Sequence, residues 1–214
     1  GAIAVGKNKL NMHTRPDSMR MKQAAAAVGQ CSLMYLYDKF FGDYDKTVAQ
    51  ILLNAEDIEQ EEKKENLTNT FNALLEMGVI PIVNENDSVS YTEIESEDRL
   101  FGDNDMLSSV VAVLCRAKRL VILSDIDGFY DSDPRLYPNA KLIEQIDTID
   151  DSVYSLAGGA GSRRGTGGMR TKLQAAQLAT SQGIDTIVTN GKRPAALYDI
   201  VRGGKAGTLF TGKM

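Results

Sequence analysis

Short apolar runs alternate with helical patterns along the whole chain, and this alternation restricts the fold more than any other feature. Strands are expected over residues 47–53, 79–83, 120–124, 141–146, 186–189 and 208–210. Helices are expected over 18–40, 64–77, 105–116, 150–156, 169–181 and 195–201. Strands separated by helices need crossover connections, so neighbouring strands run parallel and helices cover both faces of the sheet. The expected class is α/β with a mostly parallel central sheet. A chain of 214 residues can bury a full core as one domain over 1–214. No internal repeat or low-complexity linker divides it.

Composition narrows the chemistry. A net charge of −5 leaves no basic footprint for nucleic acid or an anionic membrane. No apolar run reaches the roughly 18–20 residues of a membrane span, and the first residues do not read as a secretory signal. Cys31 and Cys115 fall in apolar helical patterns and are expected as buried free thiols of a reducing, cytoplasmic compartment. His13 is the only histidine and sits in a polar loop beside Arg15 and Pro16. A Ser-His triad or a histidine-rich metal site is therefore not expected, and the chemistry falls to Lys, Asp and Asn. Met19, Met21 and Met34 read as core or near-core, and the alanine run at 24–27 as close helix packing. The charged stretch 56–66, with Glu59 and Lys63 at i,i+4 spacing, reads as a solvated helix face.

The run Gly165-Thr166-Gly167-Gly168-Met169-Arg170-Thr171-Lys172 is a glycine-rich loop feeding a helix. Unpaired N–H groups at a helix start carry partial positive charge and suit phosphate oxygens. Lys172 adds a point charge in the first turn, and Arg163, Arg164 and Arg170 concentrate positive charge locally in an acidic chain. The run is not a Walker A loop, because Met169, Arg170 and Thr171 separate the last glycine from the lysine. It does not fit a dinucleotide fingerprint either. A plain flexible loop is the competing reading.

Three polar clusters lie where an α/β sheet gathers ligands, at carboxyl ends of strands and at helix starts. Asn84-Glu85-Asn86-Asp87 offers donors for a substrate carboxylate and acceptors for an ammonium group, or else closes the strand with an Asx turn. Gly102-Asp103-Asn104-Asp105 precedes a helix. Capping explains one of its polar residues, and a carboxylate held near Lys172 would keep that lysine charged and oriented. The segment from Ser124-Asp125-Ile126-Asp127-Gly128 to Asp133-Pro134 is no EF-hand, since its glycine and acidic positions are misplaced. It is either a loop that packs on a nucleotide or an ordinary acidic βα loop.

Taken in order, these segments resemble the amino-acid kinase family. The match includes Gly1-Ala2-Ile3-Ala4-Val5-Gly6, Lys22-Gln23, Val28-Gly29-Gln30, Asn84-Glu85-Asn86-Asp87, Gly102-Asp103-Asn104-Asp105, Ser124-Asp125-Ile126-Asp127-Gly128-Phe129-Tyr130, the glycine loop through Lys172, and Gly207-Thr208-Leu209-Phe210. The resemblance implies a three-layer αβα sandwich with nucleotide on one half and amino acid on the other. It implies ATP with Mg²⁺, and transfer of the γ-phosphoryl to the side-chain carboxylate of L-glutamate, the first step of proline synthesis. Carried over by position, Asp87 and Asn104 bind glutamate, with Asn84 and Asn86 shaping that pocket. Ser124 and Asp125 contact the nucleotide, and Thr166, Gly167, Gly168, Met169, Arg170, Thr171 and Lys172 line the phosphates. Lys172 stabilises the transferring group and Asp105 organises the catalytic lysines. No protein side chain is assigned to metal.

The resemblance further implies a homo-oligomer, hand-over of the product to glutamate-5-semialdehyde dehydrogenase, and a strand, lysine-bearing loop and helix ahead of Gly1. No small β domain of the PUA type is expected within the chain. Uridylate or isopentenyl phosphate kinase activity on the same fold is the competing enzyme reading. A non-catalytic nucleotide- or amino-acid-binding protein is the competing reading outside enzymes.

Overall fold

The computed structural model describes residues 1–14, 16–89, 104–157 and 168–213. The chain forms two compact units, Gly1–Phe101 and Gly102–Met214.

The first unit contains α1 (Ala2–Lys9), α2 (Met19–Gly42), β1 (Val48–Leu53), α3 (Ala55–Glu59), α4 (Glu61–Glu76) and β2 (Ile80–Glu85). Strands β1 and β2 pair in parallel, from Val48 opposite Ile80 to Leu53 opposite Glu85. Ser18 caps α2, accepting a hydrogen bond from the Met21 N–H at 3.4 Å. No element is expected over residues 1–9 from the sequence. An eight-residue helix is too short to form by itself, and α1 exists because it packs on α2. Contact is made by glycine on glycine: a Cβ at Gly29 would run into the Ala2 carbonyl, and one at Gly6 into that of Ala25. Ala25 and Ala26 are buried as the alanine run suggested, whereas Ala24 and Ala27 are exposed.

Three expectations in this unit need correction. Cys31 is exposed, since it lines an open cleft together with Ala2, Ala27 and Gln50. Met21 is also exposed, at 40 %, while Met19 and Met34 are half-buried. The Glu59–Lys63 spacing makes no helical pair, because Gln60 is extended (φ −87°, ψ 114°) and separates α3 from α4. Lys63 instead stands 3.7 Å from Asp57 and 3.9 Å from Glu56. A reciprocal capping box between Asn54 and Asp57 starts α3.

The second unit contains α5 (Asn104–Leu114), β3 (Arg119–Ser124), β4 (Gln145–Ile146), α6 (Asp151–Ala157), α7 (Met169–Ser181), β5 (Asp185–Asn190), α8 (Ala196–Val201) and β6 (Thr208–Phe210). Its sheet runs β3-β5-β6-β4, parallel except between β5 and β6. One face of the sheet gives Leu120, Ile122, Val188 and Phe210 to a core completed by Leu173, Ala175, Ala176 and Ala179 of α7. These alanines let the helix approach closely. Ile187 and Thr189, of the opposite parity in β5, are buried too, so this strand is covered on both faces, as a central parallel strand should be. Phe129 meets Phe210 edge to face at 6.3 Å.

The expected strand over 141–146 shrinks to Gln145–Ile146. Its first half pairs with the loop after β3 instead: Asp131 N–H donates to Lys141 O at 3.1 Å and Ile143 N–H to Phe129 O at 2.8 Å. Gly207 precedes β6 with φ +68°, and a side chain there would strike the Val188 carbonyl. Cys115 is a half-buried free thiol, and burial pushes its pKa up. Among the described residues no helix is long and apolar enough to cross a membrane.

Candidate active site

In the second unit, helices α5 and α7 pack side by side and start at the same end. Asp105 lies in the first turn of α5 and Lys172 in the first turn of α7. The Lys172 ammonium donates to Asp105 Oδ2 at 2.9 Å, and the Thr171 hydroxyl approaches the same oxygen at 3.4 Å. The two charged side chains are only 11 % and 16 % exposed, so solvent screens this pair far less than a surface ion pair. Helix α7 begins after Gly168 with no side-chain cap. In that turn the Thr171 N–H already donates to the Gly168 carbonyl at 3.1 Å, so the groups an anion could take beside the ammonium are the N–H groups of Met169 and Arg170. The capping explanation for Asp105 is insufficient, because its carboxylate reaches across to the neighbouring helix.

At the carboxyl ends of the strands, Ser124 of β3 and Asn190 of β5 stand opposite one another. The Ser124 hydroxyl donates to Asp125 Oδ1 at 3.2 Å. Asn190 Nδ2 donates to Asp127 Oδ1 at 2.8 Å, and the Tyr130 hydroxyl lies 3.4 Å from Asp127 Oδ2. Burial, followed by the neighbouring Asp127 carboxylate, raises the Tyr130 pKa, so the phenol remains a donor at neutral pH. Asp125 is exposed.

The first unit holds the other polar cluster. A cleft of about 290 Å³ is lined by Ala2, Ala26, Gln30, Gln50, Asn86 and Asp87, among others. Asn84 belongs to β2 itself, and its Nδ2 donates to Gln30 Oε1 at 3.1 Å. Gln30 Nε2 in turn donates to Gln50 Oε1 at 3.2 Å. Asn86 lines the cleft; its side-chain oxygen accepts from the Ser88 hydroxyl at 2.6 Å, and its carbonyl accepts the Val89 N–H at 3.2 Å in a backbone turn. Asp87 is half-buried beside it.

Sequence reasoning missed Gln30 and Gln50 as members of this cluster. Gln30, at 8 % exposure, is a polar residue on an otherwise small apolar helix face, and that contrast was the available signal. Asn104 begins α5 and is exposed. Gly168, Met169, Arg170 and Thr171 form the cap and first turn of α7. Gly102, Asp103, Gly165, Thr166 and Gly167 lie outside the described residues. Among the described residues no three His, Cys, Asp or Glu side chains gather as a metal cage.

The sequence profile of the amino acid kinase family matches residues 1–190. The chain belongs to the amino acid kinase family. A family relative named glutamate 5-kinase, from Clostridium perfringens, is 54 % identical over 213 residues, covering 100 % of this chain and 79 % of the relative. Another of that name, from Listeria innocua, is 48 % identical over 213 residues, covering 100 % of this chain and 77 % of the relative. Among solved structures, a UMP kinase from Ureaplasma parvum superposes with a TM-score of 0.59 at 15 % identity, covering 96 % of this chain and 75 % of that one. Likeness at that identity concerns the fold alone, and the expected α/β kinase fold stands. The family and these relatives make the chain a kinase, a phosphotransferase with a carboxyl group as acceptor.

Proposed function

We propose that this chain catalyses ATP-dependent phosphorylation of the side-chain carboxylate of L-glutamate. The observation that carries this reading is the Lys172–Asp105 contact at two helix starts, in a chain 54 % identical to a glutamate 5-kinase. The acceptor carboxylate, with an ordinary pKa of about 4.3, is already ionised at pH 7 and needs no general base. That suits a chain whose single histidine, His13, lies in an exposed loop. A carboxylate oxygen bonds to the γ-phosphorus while the bond to the β,γ-bridging oxygen breaks, and the electron pair leaves with ADP. Catalysis then depends on in-line positioning and on neutralising charge at the phosphoryl oxygens.

Lys172 supplies a positive charge to those oxygens, and Asp105 aims it. Thr166, Gly167, Gly168, Met169, Arg170 and Thr171 cradle the phosphates with Lys172, and Ser124 and Asp125 contact the nucleotide. Asp87 and Asn104 bind glutamate, and Asn84 and Asn86 shape the pocket. Mg²⁺ travels with the ATP phosphates and uses few protein ligands in such a role; none is assigned here. Residues 1–214 act as one kinase domain. On the same reading the enzyme is a cytoplasmic homo-oligomer. It passes its labile acyl phosphate to glutamate-5-semialdehyde dehydrogenase.

The experiment is an ADP-release assay on the intact protein with L-glutamate, uridylate or isopentenyl phosphate as acceptor. Only glutamate is expected to support turnover above the ATPase background. Turnover with either phosphate acceptor in its place would overturn the assignment.

A further inference from the structure

The loop that follows β3 is fastened at its start by a backbone hydrogen bond, at its end by the Thr208 hydroxyl, and in its middle by side chains. At its start, the Ser124 carbonyl accepts from the Gly191 N–H at 2.8 Å. At its end, the Phe129 N–H donates to the Thr208 hydroxyl at 2.7 Å, which donates on to the Ile143 carbonyl at 2.6 Å. Between these anchors runs Asp125-Ile126-Asp127, and Asp127 is the residue held there. Asn190 Nδ2 reaches its Oδ1 at 2.8 Å, and the Tyr130 hydroxyl reaches its Oδ2 at 3.4 Å. Arg193 stands 3.9 Å from Oδ1 with its side chain 75 % exposed.

The orientation of Asn190 is fixed independently. Its side-chain oxygen accepts the Lys192 N–H at 2.9 Å, which leaves the amide nitrogen as the group facing Asp127. A short hydrogen bond from a fixed donor to a carboxylate outweighs a long, solvent-screened contact to an exposed arginine. Asn190 is therefore the principal hold on Asp127.

We infer that Asp127 and Asn190 form a latch that keeps the Ser124-Asp125 segment in its nucleotide-binding conformation. The inference rests on the kinase reading, in which that segment contacts ATP. Both are positioning residues. Neither needs to touch the nucleotide. The latch joins the ends of the two paired strands β3 and β5, whose last residues are opposite each other, so losing it frees the loop without removing either strand from the sheet.

Isothermal titration of ATP into the intact protein tests this, with steady-state kinetics alongside. Asn190→Ala and Asp127→Ala should each weaken ATP binding, and raise its KM, by about tenfold. The kcat and the KM for glutamate should stay within about threefold of the parent. Asp127→Asn keeps an oxygen acceptor for Asn190 and should bind ATP nearly as the parent does. The double alanine variant should be no weaker than the worse single one, because both break one contact. Parent-like ATP affinity in both alanine variants would overturn the latch. So would equal losses for Asp127→Asn and Asp127→Ala, or a parallel rise in the KM for glutamate. A parent that binds ATP without phosphorylating glutamate contradicts the proposed reaction alone, and the titrations still decide the latch.

Discussion

Replacing Lys172 with alanine should lower kcat by about a thousandfold or more, while the KM for glutamate changes by no more than about threefold. The asymmetry follows from where the charge is. The Lys172 side chain is 11 % exposed, its ammonium is tied at 2.9 Å to Asp105, and it stands in the first turn of a helix without a side-chain cap. A charge fixed in that environment acts on the oxygens of the transferring phosphoryl group more strongly than it would in water, and needs no reorganisation as the reaction proceeds. Ground-state binding of glutamate relies on other groups, so the loss falls on the transition state. Steady-state kinetics with both substrates varied would check this. Near-parental turnover would remove Lys172 from the chemistry.

Asp105→Ala should damage both stability and turnover. Removing one member of a buried pair costs about 3–5 kcal/mol, because the other charge stays in a poorly solvated place. For a chain of this size each kcal/mol shifts Tm by roughly 2–4 °C, giving an expected fall of about 6–20 °C. Turnover should drop by about a hundredfold, the usual scale for misplacing a catalytic group by an ångström. A companion variant separates the two effects. Replacing the pair together, Asp105→Leu with Lys172→Met, should recover most of the lost stability, since buried ion pairs are often matched by apolar residues of similar volume. It should recover none of the activity. Calorimetric melting of the three proteins, with their kcat values, tests this. An Asp105→Ala protein as stable as the parent would mean that the pair is more solvated than its 11 % and 16 % exposures indicate.

The elements that were legible in the sequence are those with local punctuation. Helix α7 and strand β6 match their expected bounds, 169–181 and 208–210. Gly168 precedes α7 and Gly183, with φ +77°, follows it, while Gly207 forces the chain into β6. Such signals act within a few residues and can be read directly. What escaped was made by contacts far apart in sequence. Helix α1 is held by Gly6 against Gly29, and nothing within residues 1–9 announces it. Residues 141–143 belong to an apolar run that predicts strand, but they pair with the loop after β3. Gln60 looks like any helix former, yet it divides α3 from α4.

The candidate site shows the same division. A carboxylate for Lys172 was expected because a charged group at a phosphate site needs orientation, and Asp105 occupies that place across 67 residues of sequence. Neither the contact of Asn190 with Asp127, 63 residues apart, nor the Gln30 link to Asn84, 54 apart, has a local signature. Amides of this kind look like ordinary turn or surface residues until the fold brings their partners to them.

The proposed reaction makes a specific bond, and trapping that bond is the most direct measurement. The intact protein would be incubated with MgATP, L-glutamate and hydroxylamine, which converts an acyl phosphate to a stable hydroxamate. The expected result is γ-glutamyl hydroxamate formed in equal amount to ADP, dependent on both substrates and abolished by Lys172→Ala. ADP release without hydroxamate, or hydroxamate formation undiminished by the loss of Lys172, would contradict it.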